Sequence, residues 1–198
     1  MQNSFQEQNA DQLKLGLYLF KSIIPLGIQW EQICKNSKLC NLVDVEIAPL
    51  VDKSLKLFEK KIQEKKIRII KNDLNHTILS QENILGHFVF NNLLENAIKY
   101  SPIGHDIFIS AYKEENSCLK ITIEDHGVGI PKEFMDTLID VERPQLQVGT
   151  LGEKGFGGGL AMVDLAINYL KARWEILPLN QDEEQLGTQA NLYFTVVK

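Results

Sequence analysis

Two carboxamides and a lysine are placed to bind a metal and phosphate near the middle of the chain. Asn92, Asn96 and Lys99 follow one another at i, i+4 and i+7, so an α-helix would present them on one side. The opposite side would be an apolar stripe of Phe90, Leu93, Leu94, Ala97 and Ile98. Amide oxygens are hard ligands for Mg²⁺, and an ammonium neutralises phosphate charge. The spacing predicts a magnesium–phosphate site, with an exposed amphipathic helix as the alternative.

A second candidate site begins at Asp125, directly after a predicted strand over residues 119–124. The pattern is Asp-x-Gly-x-Gly, with Gly127 and Gly129 in the glycine positions. Glycine permits a positive φ and a close approach to a flat ligand. A buried carboxylate that accepts a hydrogen bond from an exocyclic amine would select adenine over guanine. The alternative is an ordinary Asp/Gly turn.

The third candidate is a glycine-rich stretch, GEKGFGGGLAMV, over residues 152–163. A glycine loop that opens a helix presents free N–H groups to anionic oxygens, and the helix dipole adds to the attraction. The stretch is not a Walker loop, because no Gly-Lys-Ser/Thr follows. It is not a dinucleotide fingerprint either, because no strand leads directly into it.

The elements that must position these motifs follow from hydrophobic periodicity. Helices are predicted over residues 8–38 (bent or broken at Pro25), from about Pro49 to Ile62, and over 81–100 and 159–171. Strands are predicted over 42–47, 67–70, 107–112, 118–124, 174–177 and 192–197, with 107–112 and 118–124 forming a hairpin. This order predicts an α+β fold in two layers, with helices on one face of a mixed or antiparallel sheet.

Composition excludes several classes of protein. The chain has 198 residues, 44% of them hydrophobic, which is typical of a globular protein and not of a disordered one. A net charge of −5 argues against a general nucleic-acid binder. The cysteines (Cys34, Cys40 and Cys118) form no CxxC or Cys/His cluster, so a reducing cytoplasm is expected, without a disulfide framework or zinc site.

The sequence predicts no membrane-spanning segment. It does predict one basic surface. The longest apolar neighbourhood, residues 15–30, contains Lys21 and Pro25 and is too short to cross a bilayer. The helix after Pro49 carries a run of lysines, which we interpret as a solvated face, with docking of an acidic partner as the alternative. These lysines are Lys53, Lys56, Lys60, Lys61, Lys65 and Lys66.

In this order, the three motifs resemble the ATP-binding domain of bacterial sensor histidine kinases. That superfamily also includes gyrase, heat-shock chaperone and mismatch-repair ATPases, which share the Bergerat fold. Residues 92–102 resemble the asparagine box, 125–131 the first glycine box and 155–163 the second, and Gly187-Thr188 resembles the last element. The resemblance implies a Bergerat-type sandwich over residues 42–198. Residues 1–41 would be a helical segment left from a dimerisation hairpin.

The resemblance also implies roles for individual residues, with ATP and Mg²⁺ as the bound groups. Asn96 would hold Mg²⁺ with Asn92 nearby, Lys99 would contact phosphate, Tyr100 would line the pocket, and Asp125 would bond the adenine amine. Asn92 and Lys99 are the expected catalytic residues. The other expected nucleotide-binding residues are Gly127, Gly129, Ile130, Lys154, Gly155, Gly157, Gly158, Gly159, Leu160 and Thr188.

The chain departs from the family pattern in the segment between the glycine boxes and before residue 42. No aromatic box follows Phe134, His126 replaces the usual Asn, and Phe156 replaces a small residue. Arg143 and Lys154 are candidate cations for the γ-phosphate. No histidine precedes His76, so the phosphoacceptor would lie on a segment outside this chain or on another protein.

The leading functional hypothesis is a cytoplasmic histidine kinase catalytic domain. Its partner would be a response regulator or a histidine-bearing phosphotransfer domain, and its N-terminal helix would suit a homodimer. The alternative is a degenerate nucleotide-binding or docking module without kinase activity. A hydrolytic ATPase would need a glutamate where Asn92 stands, because a carboxamide cannot accept a proton. Autophosphorylation on an internal histidine such as His126 is a further alternative.

Overall fold

The computed structural model describes residues 42–114, 117–131, 149–152, 158–179 and 186–195. They belong to one unit, Asn41–Lys198. The helical segment predicted before residue 42 lies outside the described residues, so its role as a dimerisation remnant stays a prediction. No helix in the described ranges is long and apolar enough to cross a membrane.

A mixed five-stranded sheet forms one layer. Its strands are β2 (Arg68–Asn72), β4 (Asp106–Glu114), β5 (Cys118–Asp125), β6 (Arg173–Pro178) and β7 (Thr188–Thr195), in the order β2-β4-β5-β7-β6. The β2–β4 pair is parallel, and the β4–β5, β5–β7 and β6–β7 pairs are antiparallel. The predicted hairpin is therefore confirmed as β4–β5.

Two short strands lie apart from this sheet. β1 (Val43–Glu46) pairs antiparallel with β3 (Thr77–Ser80). β1 matches the strand predicted at residues 42–47, whereas β3 was not predicted. Four residues give too short a pattern to separate a strand from a loop.

Helices form the second layer. They are α1 (Ile47–Leu57), α2 (Glu59–Glu64), α3 (Glu82–Ile84), α4 (Asn91–Tyr100) and α5 (Gly159–Tyr169), and a π-helical turn, Leu85–Phe90, joins α3 to α4. The helix predicted over residues 81–100 is confirmed in extent, but its middle has the wider π geometry. The helix predicted after Pro49 is divided at Phe58, which lies in a turn between α1 and α2.

The core lies between the helices and one face of the sheet. All five residues of the predicted apolar stripe around α4 are at most 3% exposed. Alternate strand residues oppose them: Ile107, Ile109, Ala111, Leu119, Ile121, Ile123, Ala190, Leu192 and Phe194, all buried. Burying a large aliphatic side chain stabilises a fold by about 1.5–3 kcal/mol, so this layer fixes α4 against the sheet.

The lysine surface is solvated with one exception. Lys53, Lys56, Lys60, Lys61 and Lys66 are exposed, and three of them form ion pairs, with Glu82, Glu64 and Glu95. Lys65 is only 1% exposed, so the prediction of a solvated side chain there is wrong. Its position continues the spacing of Leu55, Phe58 and Ile62 around the helix, which directs the side chain inward.

Candidate functional site

A buried carboxylate ends the central strand β5. Asp125 is 6% exposed, and its Oδ1 accepts the N–H of Gly127 at 2.9 Å. Thr188 lies opposite it in the β5–β7 ladder. Burial raises the pKa of Asp125 to about 7, and the charge of Glu124 acts in the same direction, whereas backbone hydrogen bonds from Gly127 and Thr188 oppose the shift. A buried carboxyl with such a pKa is typical of a functional site.

Gly127 is required by lack of space. A Cβ at this position would lie 2.6 Å from Asp125 Oδ1 and 2.6 Å from the carbonyl oxygen of Tyr100. The next residue, Val128, donates its N–H to that same carbonyl at 3.3 Å. The predicted reasons for the glycines here were a positive φ, which Gly127 does not have, and the close approach of a ligand. The structure shows a different close neighbour, the end of helix α4.

The remaining expected residues of this turn lie beside Asp125. Gly129 has a φ of +70°, as predicted for a glycine here, and its Cβ position lies 3.5 Å from the backbone nitrogen of Gly187. A Cβ on Gly187 would lie 2.5 Å from the carbonyl oxygen of Asp125. Ile130 and Thr188 are half-buried. The Asp125 turn is therefore packed directly against the start of β7.

Asn92 and Asn96, the two asparagines of the predicted metal site, both lie on α4 and are half-buried. Asn92 donates from Nδ2 to the carbonyl oxygen of Phe88, in the π-helical turn, at 2.9 Å. Its Oδ1 lies 3.0 Å from where a Cβ of Gly159 would be, so it points at the first residue of α5. A carboxamide held by its NH₂ group leaves its oxygen as a ligand for a hard cation, which fits the magnesium chemistry expected of Asn92 and Asn96.

The Lys99 side chain is buried, whereas a lysine on an exposed helix face would be solvated. Lys99 is 9% exposed, Nζ donates to the hydroxyl oxygen of Tyr100 at 2.9 Å, and Nζ lies 4.6 Å from the Tyr100 ring centroid. The two side chains are thereby held together at the C-terminal end of α4. The Tyr100 hydroxyl thus bonds the ammonium, while the Tyr100 carbonyl oxygen accepts the N–H of Val128 in the Asp125 turn.

The second glycine box is described only in part. Gly158 is buried, and Gly159 and Leu160 open helix α5. Lys154, Gly155, Gly157 and Phe156 lie outside the described residues, as do Phe134 and Arg143. The N-terminus of α5 meets Asn92, so parts of all three motifs converge: α4 touches both the Asp125 turn and the start of α5.

Residues that sequence reasoning missed tie this site together. They are Lys65 and Thr150, and Gly187, whose packing against Asp125 was not predicted. Lys65 Nζ lies within 2.7–2.8 Å of the carbonyl oxygens of Ile98 and Lys99 and the hydroxyl of Thr150. The spacing of Lys65 from Ile62 was the available signal. No pattern in the sequence singles out Thr150.

Comparison with known proteins defines the class to which this fold and site belong. Residues 81–197 match the family model described as histidine kinase-, DNA gyrase B-, and HSP90-like ATPase. Because the match covers more than half of the chain, the chain belongs to this family.

Within the family, the similarity is to sensor histidine kinases. The chain is 33% identical over 97 residues to the adaptive-response sensory kinase SasA of Synechocystis sp., covering 48% of this chain and 25% of that protein. It is 36% identical over 76 residues to the sensor histidine kinase WalK of Bacillus subtilis, covering 37% and 12%. The chain thus spans at most about a quarter of the length of these relatives.

Solved structures show the same fold. The mycobacterial sensor histidine kinase MprB superposes with a TM-score of 0.66 at 20% identity, covering 77% of this chain and 96% of that one. Full-length ShkA in complex with AMPPNP gives a TM-score of 0.62 at 20% identity, covering 80% and 32%. The predicted α+β sandwich and the resemblance to a histidine kinase ATP-binding domain are therefore confirmed.

Proposed function

We propose that this chain binds Mg-ATP and acts as the catalytic part of a cytoplasmic two-component histidine kinase. The observation that carries the proposal is the convergence of the buried Asp125 turn, the end of α4 and the start of α5. This arrangement offers a base-selective acceptor, an ammonium and a helix N-terminus in neighbouring positions. Phosphoryl transfer needs mainly such positioning and charge neutralisation.

Each candidate site residue that the structure describes on α4 and in the Asp125 turn has a role in the proposed function. Asp125 accepts the adenine amine, and the Gly127 and Thr188 backbone donors keep its carboxylate oriented. Lys99 neutralises phosphate charge, and Tyr100 holds the ammonium in place. The amide oxygens of Asn92 and Asn96 ligate Mg²⁺, which when bound neutralises charge on the phosphate oxygens.

The remaining glycine-box residues and the partners rest on the resemblance. Lys154, Gly155 and Gly157 would add phosphate contacts to those of Gly158, Gly159 and Leu160. The phosphoryl group would pass to a histidine outside this chain's motifs, and from there to a response regulator. A homodimer through the N-terminal segment is the assembly that we expect.

The first test is calorimetric titration of Mg-ATP and Mg-ADP into the wild-type chain and an Asp125→Asn variant. We expect saturable binding by the wild type. The variant should bind at least tenfold more weakly, because hydrogen bonds to charged groups are worth about 1.5–3 kcal/mol. Asp44→Asn, an exposed carboxylate on β1, is the matched control and should bind like the wild type. Equal affinity in all three proteins would refute the adenine contact.

A second test separates a kinase from a docking module. The chain is incubated with Mg-ATP labelled in the γ-phosphate and with a separate helical-hairpin protein that carries a phosphoacceptor histidine. Label transfer that is lost in Lys99→Met supports the kinase. Nucleotide binding without transfer to any of several such hairpins would favour the degenerate module.

A further inference from the structure

A buried lysine closes the C-terminal end of helix α4. Lys65 Nζ donates to the carbonyl oxygens of Ile98 at 2.8 Å, Lys99 at 2.7 Å and Ser101 at 3.2 Å. Thr150 Oγ1 is a fourth acceptor at 2.7 Å, so one of the three N–H groups is shared between two acceptors. The last carbonyls of a helix have no partner within the helix, and a cation there also opposes the negative end of the dipole. One ammonium thus replaces the glycine cap that helices commonly use.

The turn after α2 delivers Lys65 to this position. Ile67 donates its N–H to the carbonyl of Ile62, and Lys66 donates to that of Gln63, both at 3.0 Å. These two bonds define a Schellman motif, whose left-handed residue is Lys66, with a φ of +51°. A non-glycine residue in this region is strained, and the turn keeps that strain while it directs Lys65 into the core.

Thr150 is the other half of the contact. Its hydroxyl accepts from Lys65 and donates to the carbonyl of Ser101 at 2.8 Å. Its backbone N–H donates to the carbonyl of Lys99 at 3.1 Å. Residues 149–152 are therefore bonded to the end of α4 by side-chain and backbone hydrogen bonds. We call Lys65 and Thr150 the clasp.

The clasp holds the part of α4 that faces the candidate nucleotide site. It binds the carbonyls of Ile98, Lys99 and Ser101, and the carbonyl between them, that of Tyr100, receives the N–H of Val128. The same short stretch carries the Lys99 and Tyr100 side chains. A shift of this backbone would therefore move both the ammonium and the Asp125 turn.

We propose that Lys65 and Thr150 are positioning residues for nucleotide binding: the clasp fixes the α4 terminus so that Lys99 and the Asp125 turn are held in one geometry. This inference rests on the proposed function. A cap that served stability alone would lower the melting temperature and leave the affinity of the folded protein unchanged. The two roles therefore differ in what they do to nucleotide affinity.

The test compares Thr150→Val, which keeps the shape and backbone N–H but loses the hydroxyl, with Thr150→Ser, which keeps the hydroxyl. Calorimetry well below the melting temperature gives the affinities for Mg-ATP and for adenosine. We expect Thr150→Val to weaken Mg-ATP about tenfold, the effect of one buried hydrogen-bond partner lost, and Thr150→Ser to restore it. Lys65→Met should weaken it further, and Lys56→Met, an exposed lysine of α1, is the matched control.

A nucleotide-free measurement keeps this test separate from the proposed function. Amide hydrogen exchange at Gly127 and Val128 reports on the Asp125 turn, and it should accelerate in Thr150→Val but not in Thr150→Ser. If the wild type binds Mg-ATP and Thr150→Val binds equally well with unchanged exchange, the positioning role is wrong and the proposed function stands. If the wild type binds no nucleotide, the proposed function fails and the positioning role fails with it, whatever the exchange rates.

Discussion

Strands β5 and β7 carry two buried polar clusters, on opposite faces of the sheet. On the helix side, Asp125 is 6% exposed and its neighbouring donors are backbone N–H groups of Gly127 and Thr188. On the other side, Thr122 and Asn191 are 6% and 0% exposed. We call Thr122 and Asn191, together with the Glu175 and Gln189 side chains that accept from Asn191, the Asn191 cluster. Burial is therefore similar in the two clusters.

The clusters differ in how completely their polar atoms are paired. Asn191 Oδ1 accepts from the Thr122 hydroxyl at 2.9 Å, and its Nδ2 donates to Glu175 at 3.1 Å and to Gln189 at 3.2 Å. Both amide protons are thereby used. An ionised carboxylate offers about four acceptor sites, and burial raises the pKa of Asp125 to about 7. Among the described residues Asp125 has two backbone donors, from Gly127 and Thr188, so acceptor sites are left for a donor from a ligand. The side-chain amide of Asn191 bonds within the sheet through both its oxygen and its NH₂ group, so the Asn191 cluster stabilises the sheet.

The largest expected effect is on stability, at Gly127. Gly127→Ala would place a Cβ 2.6 Å from the Tyr100 carbonyl, a backbone atom that cannot rotate away. We expect a loss of about 3 kcal/mol in the free energy of unfolding, measured by urea denaturation. Gly104→Ala is the control, because no atom lies within 4 Å of its Cβ position although its φ is +80°. That variant should lose only about 1 kcal/mol. Equal losses would show that the Tyr100 backbone moves to accommodate the added Cβ, and that space is not what requires a glycine at position 127.

The second-largest expected effect is on the pH dependence of stability, which should differ between the two clusters. The folded pKa of Asp125 is raised from 3.8 to about 7, so folding takes up a proton between these values. Its contribution to stability is complete below pH 3.8 and is lost as the pH rises through about 7. The loss amounts to about 3 kcal/mol between pH 5 and pH 8, at roughly 1.4 kcal/mol per unit.

The measurement is urea denaturation of the wild type and of Asp125→Asn at several pH values. The difference in unfolding free energy between the two proteins should change by this amount in favour of the variant as the pH rises. Asn191→Asp would add a new titrating group, so Thr122→Val is the better comparison from the other cluster. Its difference from the wild type should be flat with pH. A flat difference for Asp125→Asn as well would mean that the buried carboxyl titrates normally.

The sequence predicts the parts of this comparison that depend on periodicity. The alternation in residues 107–112 and 118–124 identifies the β4–β5 hairpin, and the apolar stripe identifies the buried side of α4. The Asp-x-Gly-x-Gly pattern locates Asp125 at the strand end. These signals are local, because each depends only on residues within one strand or within two or three turns of one helix.

The unpredicted features depend on contacts between distant segments. Lys65 is buried because residues 98–101 and Thr150 supply its acceptors, which lie more than 30 residues away. The Asn191 cluster joins three strands, and Gly127 is required by a carbonyl in α4. The π-helical turn shifts the helix register before Asn92 without any change in the apolar pattern. Periodicity contains no information on such pairings.

A smaller effect is expected from opening the Asn191 cluster. Thr122→Val keeps the volume but leaves the buried Asn191 Oδ1 without the Thr122 donor. We expect a loss of about 2 kcal/mol in unfolding free energy and an unchanged affinity for Mg-ATP. Thr195→Val, on the exposed end of β7, should stay within about 0.5 kcal/mol of the wild type. A loss of nucleotide affinity in Thr122→Val would show that the two faces of the sheet are coupled.

Glu124 lies between the two clusters and interacts with both. The smallest expected effect is a change in the pKa of Asp125 when Glu124 loses its charge. Its Oε2 accepts from Gln189, which belongs to the Asn191 cluster, at 3.1 Å, and its charge helps to raise the pKa of Asp125. Glu124→Gln keeps an acceptor for Gln189 but removes the charge, so the pKa of Asp125 should fall. Glu175→Gln makes the same change at the far end of the Asn191 cluster and should leave that pKa unchanged. Carbon-13 NMR titration of the Asp125 carboxyl measures both shifts. A fall of equal size in both variants would mean that Asp125 responds to the summed charge of the sheet and not to its neighbour on β5.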